Sequence, residues 1–212
     1  MIAQSMYRNG AILTAFALAT TGSVAIVQSM TAQRIALQEK QHLMQLLGQV
    51  LSTDEYDNTL YLDCTRSNAP ELGPGSPHII YRATKAGQPA ALLVRHVTPK
   101  GYSGNIDILT AVKADGSISG VRVTRHEETP GLGDKVELAK SDWITTFNGL
   151  TVNADNAKQF AVKKDGGQFD QFTGATITPR AVVASVKQAV EYTQQNFAAL
   201  FAAKNLCNGD VQ

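Results

Sequence analysis

A run of threonines and small residues in the last quarter of the chain has the composition of an anion-binding turn. It reads Asp170-Gln171-Phe172-Thr173-Gly174-Ala175-Thr176-Ile177-Thr178-Pro179. A turn of this kind ahead of a helix exposes backbone N–H groups at the positive end of the helix dipole. Phosphate groups bind well at such helix N-termini. The run therefore predicts a phosphate-binding turn, and its simpler interpretation is a helix cap at Thr178.

Two lysines precede this run and are candidates for supplying positive charge to the same phosphate. Lys163 and Lys164 are followed by Asp165-Gly166-Gly167, where the chain can turn back toward them. The simpler interpretation is an ordinary glycine turn with two solvated lysines.

A second loop, Thr129-Pro130-Gly131-Leu132-Gly133, combines a rigid proline with two glycines that allow close backbone approach. It is not a dinucleotide fingerprint, because no third glycine follows at the required spacing and Pro130 interrupts the strand-to-turn context. The loop follows His126-Glu127-Glu128. Adjacent residues rarely converge on one ion, so the sequence predicts no metal site there.

The two cysteines, Cys64 and Cys207, are too few for a zinc ribbon or a self-contained iron–sulfur site, which need about four protein ligands. Their even number and their wide separation suit a disulfide in an oxidising compartment. Two unrelated thiols are the alternative. The formal net charge of +1 excludes a strongly basic nucleic-acid binder.

The strands and helices predicted from the sequence indicate an α+β class, in which a small, mostly antiparallel sheet is flanked by helices. These elements must position the loops described above. Strands are predicted at 78–84, 90–97, 105–113, 117–125 and 160–163, the third and fourth joined by an Asp115-Gly116 hairpin turn. Helices are predicted at 135–147 and from Pro179 to about 203, the latter capped by Thr178. The inner face of the last helix is predicted to include Val182, Val183, Val186, Val190, Phe197, Leu200 and Phe201.

The N-terminal quarter predicts a membrane anchor. Residues 9–33 contain no charged side chain, and as a helix they would rise roughly 37 Å, enough to cross a hydrocarbon core of about 30 Å. The pattern predicts a cytoplasmic N-terminus at 1–8, a transmembrane anchor at 9–33, an amphipathic helical extension at 34–51 and an exported domain at 52–212.

Hydroxyl side chains weaken the hydropathy of the anchor, and those of Thr14, Thr20, Thr21 and Ser23 are expected to bond back to the preceding turn. A cleaved signal peptide is the alternative, with Ser23-Val24-Ala25 resembling a cleavage site. Both interpretations export the remainder of the chain.

The run at 170–176 resembles the flavinylation motif of the FMN-binding domain family, whose last threonine carries FMN through a phosphoester bond. The resemblance implies that Thr176 is the acceptor and that Asp170, Thr173, Gly174 and Ala175 complete the motif. Segments 101–104, 126–135, 141–144 and 162–167 also resemble, in order, the RnfG (or RsxG) family of the Rnf-type electron transport complexes. That resemblance covers essentially the whole chain.

The resemblance favours flavin contacts over an ordinary structural loop for Glu128, Thr129, Gly131, Leu132 and Gly133. Tyr102 is a further candidate contact, and Lys163 and Lys164 remain candidates because they lie just upstream of the motif. Leu132 is expected to pack on the isoalloxazine face, and Tyr102 to stack on the flavin or belong to the core. Since residues 173–176 offer Thr176 no base, attachment is expected to need a separate flavin transferase, which recognises a pattern that includes Asp170.

The function that the resemblance implies is electron transfer in an Rnf-type complex, together with its A, B, C, D and E subunits. Electrons would flow between ferredoxin and NAD, coupled to sodium or proton movement, or would keep a redox-sensing regulator reduced. The chain would be a single-pass inner-membrane protein with its C-terminal domain in the periplasm. The alternatives are an exported assembly or ligand-binding protein with Thr176 unmodified, and a free-standing flavoenzyme, for which the sequence shows no convergent acid–base set.

Overall fold

The computed structural model describes residues 2–75 and 77–207. These residues fall into two compact units, which divide between Leu43 and Met44. The predicted cytoplasmic segment 1–8 includes Met1, and the predicted domain 52–212 includes Ser76 and residues 208–212. These residues lie outside the described part of the chain.

Helix α1 spans Ile2–Val50 without a break. Its stretch Met6–Ala32 is long and apolar enough to cross a membrane, and none of that stretch is buried within the protein. A signal sequence near an N-terminus would meet the same test, so the structure keeps both interpretations of this segment open.

Three of the four hydroxyls predicted to bond back along α1 do so, and among the described contacts Thr21 makes no such bond. Thr14 donates to the carbonyl of Gly10 at 2.9 Å, and Ser23 donates to that of Ala19 at 2.8 Å. Thr20 does the same toward the preceding turn. The hydroxyls of Thr14, Thr20 and Ser23 are therefore satisfied within the helix.

The second unit is built on a five-stranded sheet in which every neighbouring pair is antiparallel and the strand order follows the chain. The strands are β1 Cys64–Ser67, β2 His78–Lys85, β3 Gln88–Thr98, β4 Ile106–Lys113 and β5 Ile118–Arg125. The predicted α+β class is confirmed, and strands β2 to β5 match the predicted segments within two residues at each end. Strand β1 was not predicted, because four mostly polar residues carry almost no alternation signal.

Helix α2, Ile177–Ala202, packs against β3 and β4 and closes the main core. The predicted inner face is confirmed, since Val182, Val186 and Val190 are fully buried and Phe197 and Phe201 are partly buried against the core. The end of α1 lies close to strand β5. A Cβ placed on Gly120 would lie 2.7 Å from the carbonyl oxygen of Val50.

Two predicted elements are wrong. Segment 135–147 is not one helix but two short 3-10 helices, Gly133–Val136 and Asp142–Phe147, because the Ser141 hydroxyl accepts the N–H of Trp143 and starts a new turn there. Segment 160–163 is not a strand. Its residue Val162 makes a single bridge to Phe169, and the chain then enters a 3-10 turn at Lys163–Asp165.

The antiparallel strand order brings two loops together at one end of the sheet. Strands β3 and β5 end, and β4 begins, at the same end of the sheet. The β3–β4 connection at 99–105 and the segment at 126–133 that follows β5 must therefore be neighbours. The first turn of α2 reaches the same end, because Thr178 is hydrogen-bonded to Glu128.

Candidate functional site

The motif at 170–176 forms a tight turn whose geometry depends on its glycine. The N–H of Ala175 donates to the carbonyl of Phe172 at 3.1 Å, and Gly174 lies between them with φ = 82°. Positive φ at the third residue of a β-turn is a glycine conformation. The turn therefore presents Thr173 on one side and delivers Ala175 and Thr176 to the start of α2.

The aromatic core holds this turn in place. Trp143 donates its indole N–H to the carbonyl of Asp170 at 2.8 Å, and its ring meets that of Phe172 edge-on at 5.2 Å. Both rings are buried. One end of the turn is bonded to the core and the other continues into a 26-residue helix. The backbone around Thr176 is therefore held in place from both sides.

The predicted cap at Thr178 is wrong. Helix α2 begins at Ile177, and Thr176 precedes it without making a side-chain capping bond. Thr178 lies inside the first turn, where its hydroxyl donates to the buried carboxylate of Glu128 instead. Pro179 is third rather than first in the helix, a position that is still tolerated because the N–H groups of the first turn have no intrahelical acceptor.

A cavity of about 450 Å³ opens beside this helix start. Its lining residues are Tyr102, Glu128, Thr129, Leu132, Gly133, Gly174, Ala175, Thr176, Ile177 and Thr178. Eight of these ten are residues that the sequence predicts as flavin contacts or motif members. Ile177 and Thr178 were missed as lining residues, although their place in the first turn after Thr176 was the signal that could have found them.

The remaining proposed contacts do not line this cavity. Lys163 pairs with Asp170 at 2.5 Å, and both side chains are more than half exposed. Lys164, Thr173 and Gly131 are also exposed. The charge of Lys163 is thus paired with Asp170 rather than directed into the cavity. Lys164 also lies outside the lining.

The electrostatics of the cavity come from one buried carboxylate and one helix terminus. None of the ten lining residues is basic. Glu128 accepts hydrogen bonds from the N–H groups of Tyr102 and Ser103 at 3.3 and 3.0 Å and from the Thr178 hydroxyl. The N-terminus of α2 is therefore the part of the lining that favours an anion.

The size and surface of the cavity suit a flat, mostly apolar ligand with an anionic end. A volume of about 450 Å³ lies within the range of small-molecule sites, roughly 300–1,000 Å³. Tyr102, Leu132 and Ile177 line it with exposed apolar surface, since 68, 41 and 45% of these respective residues is accessible. These side chains can hold an isoalloxazine ring, and the helix start can face a phosphate.

His126, next to this site, has a structural role. Its Nδ1 accepts the N–H of Glu128 at 3.0 Å, so Nε2 carries the proton and donates to Glu137 at 2.6 Å. Within residues 2–75 and 77–207, His, Cys, Asp and Glu side chains form no group that could hold a metal ion.

The two cysteines meet outside the lining of the cavity. Cys64 on β1 and Cys207 beyond α2 form a disulfide with their Cα atoms 5.3 Å apart. The tail also pairs with the edge strand, because Leu206 donates its N–H to the carbonyl of Cys64 at 2.8 Å. The disulfide therefore fastens the C-terminal tail to the sheet.

The architecture and its cavity define the class of protein, an FMN-binding domain preceded by an apolar helix. Residues 101–191 match the family model of the FMN-binding domain, and residues 1–50 match that of the RnfG N-terminal region. The first match contains every lining residue of the cavity.

Curated relatives identify the particular family. The chain is 47% identical over 209 residues to the G subunit of the ion-translocating oxidoreductase complex of Pseudoalteromonas atlantica, covering 98% of this chain and 97% of the relative. Proteins of the same name from Vibrio cholerae and Shewanella oneidensis are 48% and 46% identical, with 95% of this chain covered and 97% and 96% of the relatives. The chain belongs to this family, the G subunits of ion-translocating oxidoreductase complexes.

Proposed function

We propose that the chain carries FMN covalently, through a phosphoester bond to the hydroxyl of Thr176. One observation carries this choice among the three threonines of the run. Thr176 lines the cavity and makes no capping bond. Thr178 is 1% exposed with its hydroxyl bound to Glu128, and Thr173 lies outside the lining.

Attachment requires a separate flavin transferase. A threonine hydroxyl is a weak nucleophile and needs a base. The one carboxylate in the lining, Glu128, already accepts three hydrogen bonds. Gly174 and Ala175 leave room for an incoming enzyme, and the exposed carboxylate of Asp170 stands outside the cavity where another protein can recognise it.

The chain's own residues would hold and shield the cofactor. The first turn of α2 stabilises the remaining negative charge of the phosphodiester. Tyr102, Leu132 and Ile177 pack against the ring and exclude water from one side of it. Bound FMN supplies one- and two-electron transfer chemistry, which the protein tunes through nearby charges and hydrogen bonds.

The chain would act as an electron carrier inside a membrane complex. Its relatives are named as parts of an ion-translocating oxidoreductase complex. We infer that it passes electrons along a path between ferredoxin and NAD that is coupled to sodium or proton movement, together with the A, B, C, D and E subunits of an Rnf-type complex. Keeping a redox-sensing regulator reduced is a second use of the same electron path.

We further infer a single-pass inner-membrane protein whose C-terminal domain is periplasmic. Two observations support this arrangement. Met6–Ala32 is long enough to span a bilayer, and a disulfide such as Cys64–Cys207 is typical of a domain in an oxidising compartment.

The attachment is tested by two matched threonine variants produced in a host that contains the flavin transferase. On a denaturing gel, the unaltered chain and Thr173→Ala are expected to show flavin fluorescence, and Thr176→Ala is expected to show none. Fluorescence retained by Thr176→Ala would move the attachment point. A dark unaltered chain would favour the alternative, an exported assembly or ligand-binding protein without covalent flavin.

A further inference from the structure

The cavity contains a side chain whose environment is unusual for its type. Glu128 is 4% exposed, and no basic side chain lies among the residues that line the cavity with it. Its Oε1 accepts the N–H of Ser103, and its Oε2 accepts both the N–H of Tyr102 and the hydroxyl of Thr178. All three partners donate, which is the pattern that an ionised carboxylate satisfies best.

The backbone on both sides is shaped to admit this carboxylate. A Cβ on Gly101 would lie 2.7 Å from Oε1 of Glu128, and a Cβ on Gly133 would lie 2.9 Å from its Cβ and 2.9 Å from the Thr178 hydroxyl oxygen. Each distance is shorter than the contacts that real Cβ atoms make. The two glycines therefore leave the space that lets three chain segments converge on one side chain.

Those three segments are the walls of the cavity. The β3–β4 connection supplies Tyr102, and the segment after β5 supplies Glu128, Thr129, Leu132 and Gly133. The motif turn and the first turn of α2 supply Gly174 to Thr178. The Glu128 carboxylate accepts hydrogen bonds from the first and third segments, and its own backbone belongs to the second.

We propose that Glu128 is a positioning residue, whose carboxylate sets the spacing between the Tyr102 loop and the start of α2, and whose fixed negative charge makes the cavity less favourable to added electrons. The part that concerns the flavin rests on the proposed function. A buried charge is poorly screened, so it opposes reduction of a nearby cofactor and lowers its midpoint potential.

The test uses the full chain in detergent and the same chemical change at two adjacent positions. Glu128→Gln removes the charge and places an amide against N–H donors. Glu127→Gln is the control, because the side chain of Glu127 is 72% exposed and pairs with Arg125 only at 3.8 Å. Glu128→Asp restores the charge on a shorter side chain.

Two readouts separate the two parts of the proposal. Hydrogen–deuterium exchange of the peptide around Tyr102 and Ser103, measured without flavin, reports the link between segments. Loss of a hydrogen bond to a charged acceptor is expected to speed exchange about tenfold in Glu128→Gln. The midpoint potential of the attached flavin is expected to rise in Glu128→Gln, to recover at least in part in Glu128→Asp, and to stay unchanged in Glu127→Gln.

Unchanged exchange and an unchanged potential in Glu128→Gln would overturn the proposal. Equal shifts in Glu127→Gln and Glu128→Gln would also overturn it, because the effect would then be a general loss of surface charge. If Glu128→Gln does not accumulate, Thr178→Val removes one donor and is expected to speed hydrogen exchange at the start of α2. Unchanged exchange there would overturn the positioning role. If the unaltered chain carries no flavin, the proposed function fails, and the exchange measurement still decides the positioning role.

Discussion

At the scale of single residues, His96 illustrates how burial controls a titratable group. It is 1% exposed between Ser185 and Thr110, whose hydroxyl oxygens lie 2.8 Å from Nδ1 and Nε2 respectively. Burial, with a smaller contribution from nearby His78, lowers the pKa of His96 to about 3 from 6.5. The folded protein therefore keeps a neutral imidazole where the unfolded chain would bind a proton.

This difference predicts that stability decreases in acid. Below pH 6.5 the unfolded chain gains a proton at this position and the native state does not, so the free energy of unfolding falls as pH falls toward 3. The loss attributable to His96 is about 2 kcal/mol between about pH 7 and pH 5. Denaturant unfolding followed by fluorescence of Trp143, the single tryptophan, measures it.

The matched comparison is His96→Gln, which cannot titrate. Its unfolding free energy is expected to be lower at neutral pH but to fall less on acidification to about pH 5 than that of the unaltered chain. Parallel pH profiles of the two proteins would show that His96 does not contribute the difference.

Asp170 provides a second prediction at this scale. Its ion pair with Lys163 is solvent-exposed and contributes little stability, at most about 1 kcal/mol. We expect Asp170→Asn to reduce flavin attachment by the transferase while leaving the unfolding free energy within about 0.5 kcal/mol. Asp155→Asn, at another exposed aspartate, is the control and should affect neither. Normal attachment in Asp170→Asn would remove this residue from the recognition pattern.

At the scale of secondary-structure elements, the C-terminal end of α2 is fastened at two points. Arg82 on β2 pairs with Asp63 at 2.5 Å and donates to the carbonyl groups of Phe201 and Ala203 at 2.9 and 2.5 Å. The disulfide Cys64–Cys207 then links the tail to β1. The helix whose first turn forms the cavity is thus held at its far end as well.

Removing the disulfide is therefore expected to destabilise the domain without abolishing its fold. The bridge spans 143 positions, and closing a long loop restricts the unfolded chain, which corresponds to about 2–5 kcal/mol. The double variant Cys64→Ser with Cys207→Ser should unfold at a lower denaturant concentration than the oxidised chain, and reductant should shift only the latter. An oxidised chain that is insensitive to reductant at its midpoint would contradict this.

Local patterns in the sequence predicted the elements with strong periodicity and missed those that depend on tertiary contacts. Alternation and the Asp115-Gly116 turn predicted β4 and β5, and apolar spacing predicted the inner face of α2. The capping prediction for Thr178 failed because its actual partner, Glu128, is 50 positions away. No local pattern encodes such a pairing, and the same is true of the Trp143–Asp170 bond that positions the motif.

Of the candidate site, the motif residues are the part that stands out in the sequence, through their resemblance to a known motif. They are contiguous at 170–176, so their type and spacing are visible in the sequence. The cavity walls come from three segments. Antiparallel strand order brings two of them together, and the Thr178–Glu128 hydrogen bond adds the start of α2. Lys163 and Lys164 were assigned to the site by proximity in sequence, and the structure instead pairs Lys163 with Asp170 outside the cavity.

At the scale of the whole molecule, we expect a fixed orientation in the membrane. A reporter that is active only in the periplasm, such as alkaline phosphatase, should be active when fused after residue 212 and inactive when fused after Arg8. The full chain should also stay with membranes during alkaline extraction, as a retained span of 27 residues would. Release of an intact domain by alkali would instead indicate a cleaved signal peptide.

The central claim is the chemical bond at Thr176. Protein purified from a host with an active flavin transferase should show an intact mass that exceeds the bare polypeptide by one FMN less one water. Fragmentation of the peptide that contains residues 170–180 should place that addition on Thr176. An unmodified mass, or an addition mapped to Thr173 or Thr178, would contradict the claim.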